Sequence, residues 1–204
     1  MNKILTYLLG LSIAVISAEG IIIDGSLDEP EWEEAFVIDK YYEAVPYTLK
    51  TPDVKTVTRI ISNEEGIYIG FTNFQDNASM LSNKSMRDEI PNNAEQNGVA
   101  IDFDGDGLKA YMFFATLANI QGDGIRPLGG WPEFDWDGDW DVKMKKYDGY
   151  WVSEFLIPWN VVLMKNVDTP YRKINITTFR YLTTDQAWLN LSLIHISEPT
   201  RLWT

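Results

Sequence analysis

Short runs of β-branched and aromatic residues alternate along most of the chain with turns that contain glycine, asparagine and aspartate. Such runs are typical of β-strands, and no segment keeps a 3.6-residue hydrophobic period over the length of a helix. The pattern therefore predicts an all-β fold, an antiparallel sandwich of two sheets. The predicted strands lie at 21–23, 56–61, 67–72, 99–103, 110–116, 150–157 and 173–182.

An acidic run after the first predicted strand breaks the strand pattern. Asp28 and Glu29 precede Pro30, and acidic residues with a proline at the start favour one short helical turn. This turn is expected to direct Trp32 and Phe36 inward. Apolar residues make up 45% of the chain, and no internal repeat, low-complexity stretch or linker divides it. The middle of the sequence is therefore predicted to be one domain.

Both ends of the chain differ from this middle. A short positive start, an apolar run at 4–16 and small residues at 17–18 predict that residues 1–18 are a secretory signal peptide rather than a membrane anchor. Residues 191–201 read LSLIHISEPTR, which matches the translation of a transposase adapter used in sequencing libraries. We therefore interpret 191–204 as foreign and 19–190 as the natural domain.

Charge and residue content exclude several functions. The formal net charge of −13 argues against a nucleic-acid partner, because a phosphate backbone would be repelled. Cysteine is absent, and the only histidine, His195, falls in the tail interpreted as foreign, which excludes thiolate and histidine metal sites and histidine-based triads. No spacing selects the pair of carboxylates that a glycosidase requires, so the segment is predicted not to be an enzyme.

Four motifs in order along the chain resemble carbohydrate-binding module family 9. They lie at 23–32 (IDGSLDEPEW), 57–60 with 66–70 (VTRI, GIYIG), 87–88 with 99–104 (RD, VAIDFD) and 149–158 (GYWVSEFLIP). The resemblance implies a jelly-roll-like sandwich, export, and binding of sugar ends. It looks closest to versions that stand at the N-terminus of long bacterial proteins, which implies a missing C-terminal outer-membrane barrel in the same natural chain.

A sugar site needs exposed aromatic faces with polar side chains nearby. Trp131 is the best candidate, because two glycines and a proline place it in a loop; the alternative is a lid folded back onto the sandwich. Trp136 and Trp140 would share one face of a strand with Gly138 between them, which favours the core, although Trp136 is also a candidate for ligand contact; Trp188 fits either role. The tryptophans at family-patterned positions are expected in the core: Trp32, Trp151 and Trp159.

Two polar residues are further candidates for ligand contact. They are Arg87 and Gln96, and for each the alternative is a turn or a salt bridge. The resemblance implies a ligand clamped between two tryptophans. Ala94 occupies the position of one of them, and the other belongs near the family's C-terminus, where this chain is interpreted as truncated.

An acidic cluster is the candidate metal site. Asp102, Asp104 and Asp106 alternate ahead of a glycine, as oxygen ligands do at the start of a calcium loop. Phe113 stands where an EF-hand would place its bidentate glutamate, so an EF-hand is excluded. A simpler calcium site and an ordinary Asp-Gly turn are the two remaining interpretations.

Together these observations predict a non-catalytic carbohydrate-binding domain with a saccharide ligand. It would be exported, to the periplasm or outer membrane of a Gram-negative bacterium or out of the cell. One alternative is a periplasmic plug or docking domain of an outer-membrane barrel, with no sugar affinity. Another is a haem-binding sandwich of a redox protein, with axial ligands such as Met80, Met86 or Lys84.

Overall fold

The computed structural model describes residues 20–89, 92–166 and 173–191, the last residue by its backbone only. The predicted signal peptide, His195 and all but the first residue of the predicted foreign tail lie outside the described residues. The strands are β1 (Phe36–Ile38), β2 (Tyr41–Val45), β3 (Thr56–Ser62), β4 (Gly66–Phe74), β5 (Gln96–Asp102), β6 (Lys109–Thr116), β7 (Gln121–Pro127), β8 (Asp141–Tyr147), β9 (Tyr150–Pro158), β10 (Asn175–Leu182) and β11 (Ala187–Leu191).

These strands form two sheets that pack face to face. Sheet A has the order β1-β3-β4-β9-β8 and sheet B the order β2-β11-β10-β5-β6-β7. Neighbouring strands pair antiparallel throughout, and the chain crosses between the sheets after β1, β2, β4, β7 and β9. The predicted all-β sandwich is confirmed, and the crossovers fit a jelly-roll-like arrangement.

Six predicted strands are confirmed with small changes at their ends, and one is wrong. Residues 21–23 form no strand; instead Ile21 and Ile23 pack against the outer face of sheet A. The acidic run does form a 3-10 turn at Pro30–Glu33, with Trp32 only 3% exposed. Phe36, however, is 53% exposed, so its predicted inward direction is wrong.

The main core lies between the sheets, where the two-residue alternation of each strand delivers its apolar side chains. Ile67, Ile69 and Phe71 of β4 meet Val99 and Ile101 of β5 in this layer, and all five are fully buried. The same core contains many large aromatic residues: Phe103, Tyr111, Phe113, Trp140, Trp151 and Phe155. Burial of these large side chains is the main term that holds the two sheets together.

A buried polar layer continues this core at one end of the sandwich. Arg180 of β10 is fully buried and donates to the backbone of Lys55, to Thr56 Oγ1 at 2.9 Å and to Gln75. Its guanidinium lies 5.6 Å from the Trp151 ring centre, and its Nη2 lies 3.7 Å from Oε2 of the equally buried Glu95. Burial lowers the pKa of Arg180 to about 10, so the side chain stays charged at neutral pH.

The segment before β1 covers the outer face of sheet A. Leu27 and Trp32 lie over Gly70 of β4, where an added Cβ would come within 2.6 Å of the Leu27 side chain. Glu154 of β9 ties the same segment down, because its Oε2 accepts hydrogen bonds from the backbone N–H groups of Asp24 and Gly25, both at 2.9 Å. No helix with the length and apolar character needed to cross a membrane occurs among the described residues.

Removing the negative partner of the buried pair should destabilise the fold. In Glu95→Gln the guanidinium of Arg180 keeps its burial but loses its counter-charge, which costs about 3 kcal/mol in comparable buried pairs. Urea unfolding at pH 7 measures the change. The double variant Glu95→Gln/Arg180→Met should recover part of the loss, because it removes the orphaned charge as well. Equal stability of wild type and Glu95→Gln would contradict this account of the polar layer.

Candidate functional site

An aromatic patch covers the outer face of sheet B. Along β10, Thr178 and Arg180 point into the sandwich, so Phe179 and Tyr181 point outward. Trp188 of β11 packs on both, with ring centroids 5.6 Å from Phe179 and 4.9 Å from Tyr181. Trp188 is half-buried there, so it shares in the patch and keeps part of its surface open to solvent.

Trp131 lies in the loop after β7, at the opposite edge of sheet B from β2. Its side chain is 90% exposed, so the lid alternative is not the one observed. The loop has a defined backbone: Gly129 adopts φ +70°, and the Gly130 N–H donates to Pro127 O at 3.1 Å. An indole held in solvent by a defined turn has both faces available for contact with a ligand.

A groove of about 300 Å³ adjoins this loop on the outer face of sheet B, and we call it the sheet B groove. Ala100 and Ala110 form part of its lining, and their short side chains leave the depression open. The loop contributes Leu128 and Gly129. Polar side chains of both signs complete it: Asp102, Lys109, Arg126, Asn175 and Thr177. The sheet B groove therefore combines a small apolar surface with hydrogen-bond donors and acceptors. Its lining residue Gly129 is two residues before Trp131 in the sequence.

Trp136 belongs to the core rather than to this surface. Its ring packs edge-on against Tyr111 and Phe113, with centroids 4.9 and 5.9 Å away. Trp140 stacks on Phe155 at 5.8 Å and is 5% exposed. The core interpretation of both is confirmed, although residues 134–140 form no strand. Trp32 and Trp151 are also buried as expected.

The two polar candidates are taken up by the protein itself. Arg87 Nη2 lies 2.9 Å from Asp123 Oδ2 and also pairs with Asp137, while its Nη1 donates to Gln121 Oε1 at 3.0 Å. Gln96 is fully buried in β5. The salt-bridge alternative thus describes Arg87, and Gln96 has no exposed surface for a ligand.

The Asp102 loop is a hydrogen-bonded turn. Asp102 Oδ1 accepts from the N–H groups of Asp104 and Gly105 at 3.2 and 2.8 Å, and Oδ2 accepts from Gly107 N at 2.7 Å and Asn175 Nδ2 at 2.9 Å. The other two carboxylates share Lys165, whose Nζ lies 3.4 Å from Asp104 and 2.8 Å from Asp106. Among the described residues no group of three or more acidic, histidine or cysteine side chains could hold a metal ion. This geometry favours the turn, and calcium binding stays a prediction.

The residues of the haem alternative occupy unlike environments. Met80 is 5% exposed and packs in the main core, whereas Met86 is 69% exposed and Lys84 is also exposed. The structure does not gather these side chains around a common cavity.

Sequence reasoning missed a second groove, of about 530 Å³, on the outer face of sheet A. We call it the sheet A groove. Tyr147 and Tyr150 line it and stack nearly parallel, with centroids 4.7 Å apart and an interplanar angle of 4°. They flank the Asp148–Gly149 turn of the β8–β9 hairpin. An aromatic residue on each side of an Asp-Gly turn predicts such a cross-strand pair, so the signal was present in the sequence.

Known proteins share this architecture at low sequence identity. No protein-family model matches the sequence, and no curated protein matches it significantly. Among solved structures, a putative carbohydrate-binding protein from Bacteroides uniformis has a TM-score of 0.61 at 12% identity, covering 83% of each chain. A family 9 carbohydrate-binding module from Caldicellulosiruptor kristjanssonii in complex with glucose has a TM-score of 0.58 at 12% identity, covering 84% of this chain and 81% of its own. The cellotriose complex of a module from that organism gives 0.54 at 12% identity, covering 84% and 78%.

The sandwich has a family 9-like fold. The resemblance noted in the sequence is confirmed at this level. The sequence resemblance places one of the two clamping tryptophans at position 94. Ala94 occupies this slot, is fully buried and forms a β-bridge with Ser82. The neighbouring residues Glu95 and Gln96 are fully buried too. A ligand of this domain therefore has to meet a surface other than that slot.

Glu154 makes the stability of the family 9-like sandwich depend on pH. Burial, with the nearby charges of Glu29 and Asp24, raises the pKa of Glu154 to about 7 from an ordinary 4.5. The proton is therefore held more tightly in the folded state, and stability falls as pH rises from about 4.5 to 7. We expect wild type to lose up to about 3 kcal/mol across this window relative to Glu154→Gln. Melting curves of the two proteins from pH 4 to 8 measure it, and parallel pH profiles would contradict it.

The Asp102 turn should stabilise the fold without a metal. In Asp102→Asn one carboxylate oxygen becomes an NH₂ group that faces other donors, which should cost about 1–3 kcal/mol. Asp106→Asn is the matched control, because Asp106 is exposed. Denaturation is measured with excess calcium and with a chelator. The same loss in both media is expected; a loss seen only with calcium would instead identify a metal site.

Proposed function

We propose that this domain binds a neutral saccharide on the outer face of sheet B and carries out no catalysis. The observation that carries the proposal is Trp131, an indole that is 90% exposed in the same loop whose Leu128 and Gly129 line the polar sheet B groove. A pyranose presents C–H groups on one face, which stack on an aromatic ring, and hydroxyl groups around its edge, which need hydrogen bonds. Trp131 supplies the first kind of contact and the groove supplies the second.

The polar groups of the groove suit hydroxyl ligands of either hydrogen-bonding sense. Lys109 and Arg126 donate hydrogen bonds, and Asn175 and Thr177 can donate or accept them. Asp102 also lines the groove, where its carboxylate already accepts four hydrogen bonds from the protein. Trp188 lies on the same face of sheet B and is half-buried, so its open part offers further stacking surface. Similar folds include modules solved in complex with glucose and with cellotriose, which supports a saccharide of that kind.

The wider setting is also proposed. The features of residues 1–18 support export, and the resemblance noted in the sequence supports a place in a longer bacterial envelope protein. A saccharide-binding domain in that setting would hold its parent protein close to a glycan.

Truncating the exposed indole should weaken binding and leave the fold intact. Trp131→Ala is expected to weaken saccharide binding at least tenfold, since one stacking contact is worth about 1.4 kcal/mol or more. Calorimetric titration with cellotriose and glucose measures it.

Tyr47→Ala is the matched control, because Tyr47 is another exposed aromatic residue and follows β2 at the far edge of sheet B. It should bind as wild type does. An unchanged affinity in Trp131→Ala, or no binding of any saccharide by the wild type at millimolar concentration, would overturn the proposal.

A further inference from the structure

The sheet A groove and the sheet B groove lie on opposite outer faces of the sandwich. One side of the sheet A groove is the segment before β1, which contributes six residues: Ser26, Leu27, Asp28, Glu29, Trp32 and Glu33. The other side is the solvent face of β3, β4, β8 and β9. Its volume of about 530 Å³ exceeds that of the sheet B groove. This is room for one or two sugar rings, in the ordinary size range of small-molecule sites.

Three aromatic rings form a row along the groove. Phe74 and Tyr150 are cross-strand partners, as are Tyr150 and Tyr147. Tyr150 therefore stands in the middle, 4.7 Å from the Tyr147 ring centre and 5.9 Å from that of Phe74. Phe74 is 40% exposed, and both tyrosines are half-buried. Tyr147 covers one face of Tyr150, so the row offers the groove the exposed part of Phe74 and the uncovered parts of the two tyrosine rings.

Two buried polar atoms of the groove lining have no hydrogen-bond partner among the described residues. They are Trp32 Nε1, a donor, and Glu29 Oε2, an acceptor. Trp32 is only 3% exposed, and the two residues belong to one turn, since the Trp32 N–H donates to Glu29 O at 3.1 Å. Buried polar groups are nearly always satisfied. A hydroxyl group can donate or accept, so sugar hydroxyls are groups that can satisfy either atom.

The wall that carries these atoms is fixed in place. Tyr147 donates its hydroxyl hydrogen bond to Gly25 O at 3.1 Å, and Glu154 holds the N–H groups of Asp24 and Gly25 from below. The groove therefore exists without a ligand, and binding would not have to order the wall first.

The charge of the lining selects the class of ligand. The lining carries Asp28, Glu29 and Glu33 together with Arg59, and Lys145 and Lys55 lie over the Tyr147 and Phe74 rings at 5.5 and 6.0 Å. Opposite charges therefore balance around the groove, which favours a neutral ligand, and the carboxylates accept hydrogen bonds well from neutral hydroxyl groups.

We propose that the sheet A groove is a second saccharide site, which takes a neutral pyranose packed against the row of Phe74, Tyr150 and Tyr147 with its hydroxyl groups directed toward Trp32 and Glu29. The inference rests on the proposed function and extends it: a domain with a site on each face can hold two glycan chains, or two stretches of one chain. Binding of a multivalent glycan would then exceed the affinity of either site alone.

The test uses backbone amide shifts of the labelled protein during titration with cellotriose. Two groups of amides should move, one in residues 26–33 and 147–150 and the other in residues 128–131. Tyr150→Ala should weaken the first response about tenfold and leave the second unchanged, and Trp131→Ala should do the reverse. Tyr150→Phe keeps the aromatic face and should bind as wild type does, which separates loss of stacking from a general defect in folding.

A second variant avoids the hairpin altogether. Glu29→Gln removes the carboxylate acceptor from the turn and should weaken only the first response. If cellotriose moves residues 128–131 alone, and Tyr150→Ala and Glu29→Gln bind as wild type does, the second site is overturned and the proposed function stands. If only the amides of residues 26–33 and 147–150 respond, the second site is supported and the proposed role of Trp131 is overturned. If no amide moves with cellotriose or glucose, both proposals are overturned.

Discussion

Arg180 places a full positive charge between two apolar sheets, and the surrounding structure has to compensate for it. A buried guanidinium needs a counter-charge and several acceptors, since an unpaired charge in the interior costs several kcal/mol. Those groups come from distant parts of the chain: Glu95 from the start of β5, Gln75 from the end of β4, and Thr56 with the Lys55 carbonyl from β3. The hydrophobic core would tolerate sliding of one sheet on the other far better than this network does. The polar layer therefore fixes the register of sheet A on sheet B.

The outer face of each sheet must also be either solvated or covered, because each sheet of a sandwich packs only one of its faces on the core. Sheet A is covered by the segment before β1, which is held by apolar contacts at Leu27 and Trp32 and by the carboxylate of Glu154. This cover is incomplete and leaves a groove at its edge. Sheet B keeps an aromatic patch and the exposed Trp131. Both candidate surfaces thus arise where the covering of an outer face stops.

Sequence patterns predicted every interior strand except β11, since strands such as β4 and β9 carry apolar side chains on both faces and stand out clearly. The edge strands β1, β2, β7 and β8 were missed for a physical reason. A side chain such as Lys143 or Lys145 in β8 faces solvent, so its strand has no continuous apolar character to detect. The burial of Gln96 could not be predicted from its residue type, because it depends on side chains that are distant in the sequence and pack around it in the fold. Trp131 was identified, because its flanking glycines and proline are a local signal. The sheet A groove was missed because it joins residues far apart in the chain.

The closed slot at Ala94 has a consequence for the kind of ligand. Two facing tryptophans enclose a ring from both sides, so a clamp selects the end of a chain, where one ring is free to enter. A single exposed indole beside a shallow groove contacts one side of a ring and leaves both neighbouring linkages in solvent. On the proposed function, such a surface accepts a sugar within a chain as readily as one at its end, and each contact contributes less than an enclosed ring would. Weak single contacts favour a domain that gains affinity from several of them at once, and grooves on both faces of one sandwich supply that arrangement without enlarging the fold.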